Sequence, residues 1–268
     1  MNNDKLNSEA ITNNLGTRFI GRSVLYFPSV TSTNDVAKQE ALRKAAEGTV
    51  IIAEEQTAGK GRLGRVWTSP KGTLAYSVIL YPSIAQLPYL IMVASLSVVY
   101  AIREVTGLKA RIKWPNDVQV NSKKVCGILI ENSLRGNTVD YAVIGIGVNV
   151  NFNPAQYPEI SATATSLSGE LGREFSLLSM VRQLLIELDK MYLALSDSEV
   201  VFKEWRDNLV TLGQSVRTTS GKTVYEGVAE SVEHDGSLII CQSNGTRIRI
   251  SQGDVTLRRG NESRFYKK

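Results

Sequence analysis

Three cations threaded through glycines are the first residues equipped for chemistry. In "EEQTAGKGRLGRVWTS" (54–69), Gly59, Gly61 and Gly64 fit G-x-G-x-x-G, with Lys60, Arg62 and Arg65 between and beside them. Such a stretch lets backbone approach a ligand closely, and its guanidinium groups can pair with a carboxylate or a phosphate. A dinucleotide fingerprint would need the glycines to open a helix, with an acidic residue about 20 positions on. Instead "RVWTSPKGTLAY" (65–76) carries Pro70 and Gly72 and then β-branched alternation. No Gly-Lys-Ser/Thr ending makes it a Walker loop, and no "HRD" or "DFG" supports a kinase. An anion-ordered cationic loop and a solvated surface loop stay open.

Two further groups could do chemistry. In "IKWPNDVQVNSKKVCGILIEN" (112–132), a hairpin whose partner strand begins at Lys124 would bring Asn116, Asp117 and Lys124 to one mouth. One carboxylate is no metal cage, but Mg²⁺ is commonly held by one or two carboxylates plus substrate phosphates. A hairpin of ordinary turn residues is the plain alternative. In "GIGVNVN" (145–151), Gly145 and Gly147 precede Asn149, whose amide suits an adenine edge.

These residues need elements to hold them. "SEAITNNLG" reads as a short helix, "SVLYF" (23–27) as a strand and "TSTNDVAKQEALRKAAEG" (31–48) as a helix with a Ser/Thr/Asn/Asp entry. "TVIIAEEQ" (49–56) and "TLAYSVILYP" (73–82) read as strands, and "LPYLIMVASLSVVYAI" (87–102) as a core helix too short for a bilayer. Strands follow over "ARIKW", "DVQVN", "KVCGILIEN" and "DYAVIGIGVNVN", with "NSKK" (121–124) as a tight turn; helices are expected near 176–195 and 199–209. From residue 213 on, "SG", "HDG" and "SNG" turns separate short strands, the pattern of a small β-barrel of about 45 residues.

The 268 residues carry a net charge of +5, a mild excess that does not by itself argue for nucleic acid. Cys126 and Cys241 sit far apart in apolar runs, as buried free thiols of a reducing cytosol would. The polar N-terminus lacks an export signal. A soluble, cytoplasmic protein that binds neither membrane nor nucleic acid is expected.

"STND" (32–35), "QTAGKGRLGRVW" (56–67), "KWPND" (113–117), "KKVCGILIE" (123–131) and "IGIGVNVN" (144–151), in this order, closely resemble biotin–protein ligases. The resemblance implies an α+β fold. Residues 1–212 would form a mixed-sheet catalytic domain like those of class II aminoacyl-tRNA synthetases and biotin/lipoate ligases, and residues 213–268 an SH3-like β-barrel. It implies that biotin and MgATP give biotinyl-5′-AMP and pyrophosphate, and that a lysine of a biotin carboxyl carrier domain then takes the biotin. The biotin positions are Ser32, Thr33, Asn34, Gln56, Gly59, Lys60 (through backbone), Gly61, Arg62, Lys124 and Gly127. Ser32 and Thr33 could equally cap a helix. The ATP positions are Arg62, Arg65, Trp67 as a stacking wall, Asn116, Asp117 (shared with Mg²⁺), Lys124, Asn149 and Arg258. Arg62 and Lys124 carry the catalytic charge.

His234, the one histidine, reads as solvent-facing. Leu63 puts an apolar side chain where some relatives have a basic or polar one. Some relatives repress transcription through an N-terminal DNA-binding domain; residues 1–20 leave no room for one, so ligase activity alone is expected. A homodimer formed by sheet extension follows from the resemblance too. Rival readings are a lipoate ligase or octanoyltransferase on the same scaffold, whose glycine loop differs, and a nucleic-acid-binding protein, which nothing like a recognition helix supports.

Overall fold

The computed structural model describes residues 5–220, 223–251 and 253–257. Arg258 and the basic tail beyond it lie outside the described residues.

The larger sheet has seven strands: β1 (Val24–Phe27), β2 (Val50–Ala53), β3 (Thr73–Leu80), β4 (Arg111–Lys113), β5 (Asp117–Val120), β6 (Lys123–Arg135) and β7 (Thr138–Asn149). Their order is β1-β2-β3-β7-β6-β5-β4, with β1 parallel to β2 and every other pair antiparallel. The sheet is therefore mixed. All residues of β2 and β3 are buried, because helices cover both faces.

Side-chain alternation along the strands sorts the two cores. Ile51, Ile79 and Val143 face α2 (Thr33–Leu42) and meet its Ala37 and Ala41. Val50, Ile52, Val78 and Leu80 face a larger core built with α3 (Leu90–Thr106) and α5 (Leu177–Leu193). A 3₁₀ turn over Ile84–Tyr89 accommodates Pro88 and runs straight into α3, which ends at Gly107 with a φ of 74°. The whole helical segment, Ile84–Thr106, is long and apolar enough to cross a membrane, contrary to the shorter span expected. Its apolar residues are spent on packing: Leu90, Met92, Val93, Leu96 and Val98 are all fully buried.

The structure extends strand β6 beyond the expected run at both ends. Asn121 and Ser122 take positive φ values of 50° and 65°, so the turn is two residues long and Lys123 and Lys124 already belong to a strand. At the far end pairing continues to Arg135 and Thr138 around Gly136. A short helix, α4 (Leu167–Leu171), went unread in the sequence, whereas α5 and α6 (Ser198–Asp207) fall where expected.

The first helix, α1 (Ser8–Thr12), and the loop after it are tied to α5 by two polar side chains. The Asp189 carboxylate accepts the backbone N–H groups of Arg18, Phe19 and Ile20 at 2.8, 3.2 and 3.0 Å. The Arg182 guanidinium donates to the carbonyls of Ala10, Ile11, Asn13 and Asn14.

The second sheet is antiparallel: β8 (Ser215–Ser220), β9 (Thr223–Val232), β10 (Leu238–Cys241), β11 (Arg247–Ile250) and β12 (Asp254–Leu257), ordered β11-β10-β9-β8-β12. It docks against the segment that leads into β5. Trp114, 1% exposed, donates its indole Nε1–H to the Gly236 carbonyl at 2.8 Å, and its backbone N–H to Thr211 Oγ1 at 2.9 Å. His234 is exposed as expected, yet its ring stacks on Phe202 with centroids 4.1 Å apart. Cys126 and Cys241 are free; Cys126 is buried and Cys241 only half-buried.

Candidate active site

The start of α2 forms one wall of the site. Ser32 sits at the N-cap position and is 1% exposed, but its hydroxyl makes no capping bond. The capping alternative therefore fails for Ser32, which lines a cavity instead. Thr33 donates both its backbone N–H and its hydroxyl to Gln56 Oε1, at 2.8 and 3.1 Å. Ser77 Oγ on β3 lies 2.8 Å from Thr33 Oγ1 and 2.6 Å from Asn34 Oδ1, while Asn34 Nδ2 donates to Glu131 Oε2 at 2.8 Å. Hydroxyls and amides are thus fixed in a buried polar network, which rigidifies when satisfied. Ser77 and Glu131 were missed in the sequence; a serine in the middle of the apolar run "TLAYSVIL" was the available signal.

The glycine loop folds over this wall as a small flap. Gln56 bridges to Ser69 and Lys60 to Val66, the Trp67 N–H donates to the Gly59 carbonyl at 2.9 Å, and the Gly61 N–H to the Arg65 carbonyl at 2.8 Å. Its tip is a turn over Arg62–Gly64 in which Leu63 takes a φ of 56° and stands 67% exposed. The like charges are offset locally. Lys60 Nζ pairs with Asp35 at 2.6 Å, and Arg62 Nη1 donates to Asn116 Oδ1 at 3.1 Å and to the Gly253 carbonyl at 3.5 Å. Burial would raise the Asp35 carboxyl, but hydrogen bonds from Lys60 and Lys38 hold it below the ordinary carboxylate range.

The opposite wall is the β5–β6 pair. Lys124 Nζ lies 2.6 Å from Asp117 Oδ1 and 5.3 Å from the centroid of the Trp67 ring. Asn116 is pinned on both sides: its Nδ2 donates to the Ile128 carbonyl, and its own carbonyl accepts from the Ile128 N–H. Behind them, burial pushes the Cys126 thiol far up, so it stays protonated.

The glycines of "GIGVNVN" admit the protein's own side chains. A Cβ on Gly147 would collide with the Trp67 indole, one on Gly145 with the Asn34 amide, and one on Gly127 with Trp67 as well. The close approach expected at these positions is therefore made by the wall of the site. Asn149 is 2% exposed and donates its amide to the Thr165 carbonyl at 2.9 Å, which leaves only its Oδ1 free of a described bond.

Two cavities meet here. One, of about 120 Å³, is lined by Ser32, Thr33, Gln56, Arg62 and Gly127 among others; the second, of about 800 Å³, by Lys113, Lys123, Asn149 and Glu159 among others. Arg65, Val66, Trp67, Asp117 and Lys124 belong to both. A narrow polar chamber and a broad cationic one share a wall that carries an ammonium and a carboxylate. That arrangement suits the joining of a small acid to a polyphosphate. Among the described residues, the expected ones line these walls, except Gly59, which sits inside the flap and accepts from the Trp67 N–H.

Residues 26–149 match a model of the biotin/lipoate A/B protein ligase family, and residues 211–258 match the biotin protein ligase C-terminal domain. The chain is 32% identical, over 94% of its length and 79% of the relative's, to the bifunctional ligase/repressor BirA of Bacillus subtilis. It is 33% identical to the biotin–[acetyl-CoA-carboxylase] ligase of Paracoccus denitrificans, over 80% of this chain and 94% of that one. Its fold is similar to that of a biotin protein ligase from Aquifex aeolicus in complex with biotin and ATP, with a TM-score of 0.75 and 29% identity over 89% of this chain and 100% of the other.

Proposed function

The chain belongs to the biotin protein ligase family, and we propose that it activates biotin with ATP and passes it to the lysine of a biotin carboxyl carrier domain. Biotin would lie in the narrow chamber, its urea against Ser32, Thr33, Asn34 and Gln56, its carboxylate toward Arg62 and Lys124. ATP would occupy the broad chamber, with Arg65, Asn116 and Asp117 near its phosphates, Trp67 as a wall and Asn149 near its base. The meeting of the two chambers at Lys124 and Asp117 carries this reading.

In the first step a biotin carboxylate oxygen attacks the α-phosphorus and pyrophosphate leaves. Two anions approach each other, so Arg62 and Lys124 act by offsetting charge that develops in the transition state. Asp117 is a single carboxylate, and no cluster of three His, Cys, Asp or Glu side chains occurs among the described residues. That donor set fits Mg²⁺ shared with nucleotide phosphates rather than an all-protein cage. Bound there, Mg²⁺ supplies further neutralisation of the phosphates.

In the second step the carrier's lysine amine attacks the mixed anhydride and AMP leaves, with no covalent enzyme intermediate. The flap excludes water until then. Residues 1–212 would form the catalytic unit and residues 213–268 the C-terminal one, with Arg258 as a phosphate contact. A cytoplasmic homodimer acting on a carboxylase or decarboxylase carrier completes the proposal.

ATP–pyrophosphate exchange tests it, with biotin, lipoate, octanoate or no acid. Exchange with biotin alone is expected. Exchange with lipoate or octanoate instead would keep the fold and overturn the assignment of the narrow chamber.

A further inference from the structure

We propose that Asp35 is a positioning residue that latches the 56–69 flap shut through the side chain of Lys60, and so sets how long the adenylate is retained; the retention half rests on the function proposed above. The observation is geometric. Lys60 Nζ lies 2.7 Å from Asp35 Oδ1 and 2.6 Å from Oδ2, so both carboxylate oxygens hold one ammonium. Asp35 lies in the first turn of α2, directly after the residues that line the narrow chamber. The flap is thus gripped by the same helix turn that forms the wall beneath it.

Asp35 is itself held from behind. Lys38, one turn along α2, lies 3.0 Å from Asp35 Oδ1 and 2.9 Å from Glu131 Oε1. Glu131 also accepts from Asn34 and stands on β6, the strand that carries Lys124. The row Lys60–Asp35–Lys38–Glu131 alternates in charge from the flap to the central sheet, and Lys38 leaves Asp35 little freedom to turn away. Lys60 therefore has work for its side chain beyond the backbone role its position implies.

The strength suits a latch. The side chains of Lys60 and Asp35 are 46% and 30% exposed, so solvent screens the pair. Partly exposed pairs of this kind change an equilibrium by a few-fold rather than by orders of magnitude. A flap that must open for substrate entry and for the carrier's lysine needs a closure of that size. Such a closure also weakens with salt.

Hydrogen exchange and adenylate release on the full chain test the latch together. In D35N, amide exchange across 57–68 is expected to rise three- to fivefold over wild type at 50 mM salt, and the difference to vanish at 500 mM. K60Q should match D35N, and the double variant D35N/K60Q should add nothing to either. Pre-formed biotinyl-5′-AMP should leave D35N faster by the same factor, with pyrophosphate exchange within twofold of wild type. Unchanged flap exchange in D35N, or additive effects in the double variant, would overturn the latch. Faster flap exchange in D35N together with a wild-type protein that forms no adenylate would uphold the latch and sink the proposed reaction.

Discussion

The Lys124 ammonium and Asp117 carboxylate stand 2.6 Å apart because of a one-residue irregularity in strand pairing. Asp117 is opposite Gly127 and Val118 opposite Cys126, but Gln119 is opposite Lys124, with Val125 left over. Regular alternation would send Lys124 to the face opposite Gly127, since they are an odd number of residues apart. The bulge restores Lys124 to the site face and lets Val125 and Cys126 both be buried.

Lys124→Ala should therefore lose one preorganised charge without disturbing the sheet. Biotin-dependent pyrophosphate exchange is expected to fall by roughly 100- to 1,000-fold. An unchanged circular dichroism spectrum would accompany that loss; a loss below tenfold would remove Lys124 from the reaction.

Gly147→Ala places a methyl group in the Trp67 indole. The ring must leave the wall shared by both cavities, and overpacking costs about 1–3 kcal/mol where the ring cannot yield. Tryptophan fluorescence should shift, and kcat/KM for both substrates should fall at least tenfold. Identical kinetics would show that Trp67 has no part in the wall.

Asp189→Ala strips three backbone N–H groups of their acceptor at a site only 4% exposed. A loss of about 2–4 kcal/mol is expected, given what hydrogen bonds to a charged group contribute and what unsatisfied donors cost. The urea midpoint should fall accordingly, and amides 18–20 should exchange faster than those of the central sheet.

The Tyr26 phenol is pushed up to about 12 by burial and by donating to Glu54. Its folded pKa lies above the unfolded value of about 10, so its contribution is complete below pH 10 and is lost as pH rises through 12. Stability should therefore fall less steeply between pH 10 and 12 in Tyr26→Phe than in wild type. Equal slopes in urea titrations across that window would contradict the assignment.

Much of this was legible in the sequence. Local signals sufficed where local physics decides: the Ser/Thr/Asn/Asp entry to α2, the β-branched runs of β2 and β3, the turn-separated strands after residue 213. The five motifs singled out Lys124 rather than Lys123, and Lys124 is the one that pairs with Asp117. Long-range relations were not legible. Gly145 and Gly147 announced a close approach but not that Asn34 and Trp67 make it, since those residues lie about a hundred positions upstream. The bulge at Val125 is a property of pairing, and the Lys60–Asp35 contact joins a helix to a loop across an intervening strand. The helical segment outruns the apolar run 87–102 at both ends, because a 3₁₀ turn from Ile84 absorbs Pro88 and α3 continues through the charged Arg103 and Glu104 to Thr106.

Arg62 reaches Asn116 and the Gly253 carbonyl, partners 54 and 191 residues away along the chain. Flap, hairpin and C-terminal unit thus share one guanidinium, two of whose contacts are encoded in distant stretches of the gene. A chimera that took its C-terminal sheet from a relative would inherit a foreign backbone path beneath that arginine. A substitution near residue 253 can therefore move an arginine in the first quarter of the chain without touching it in sequence.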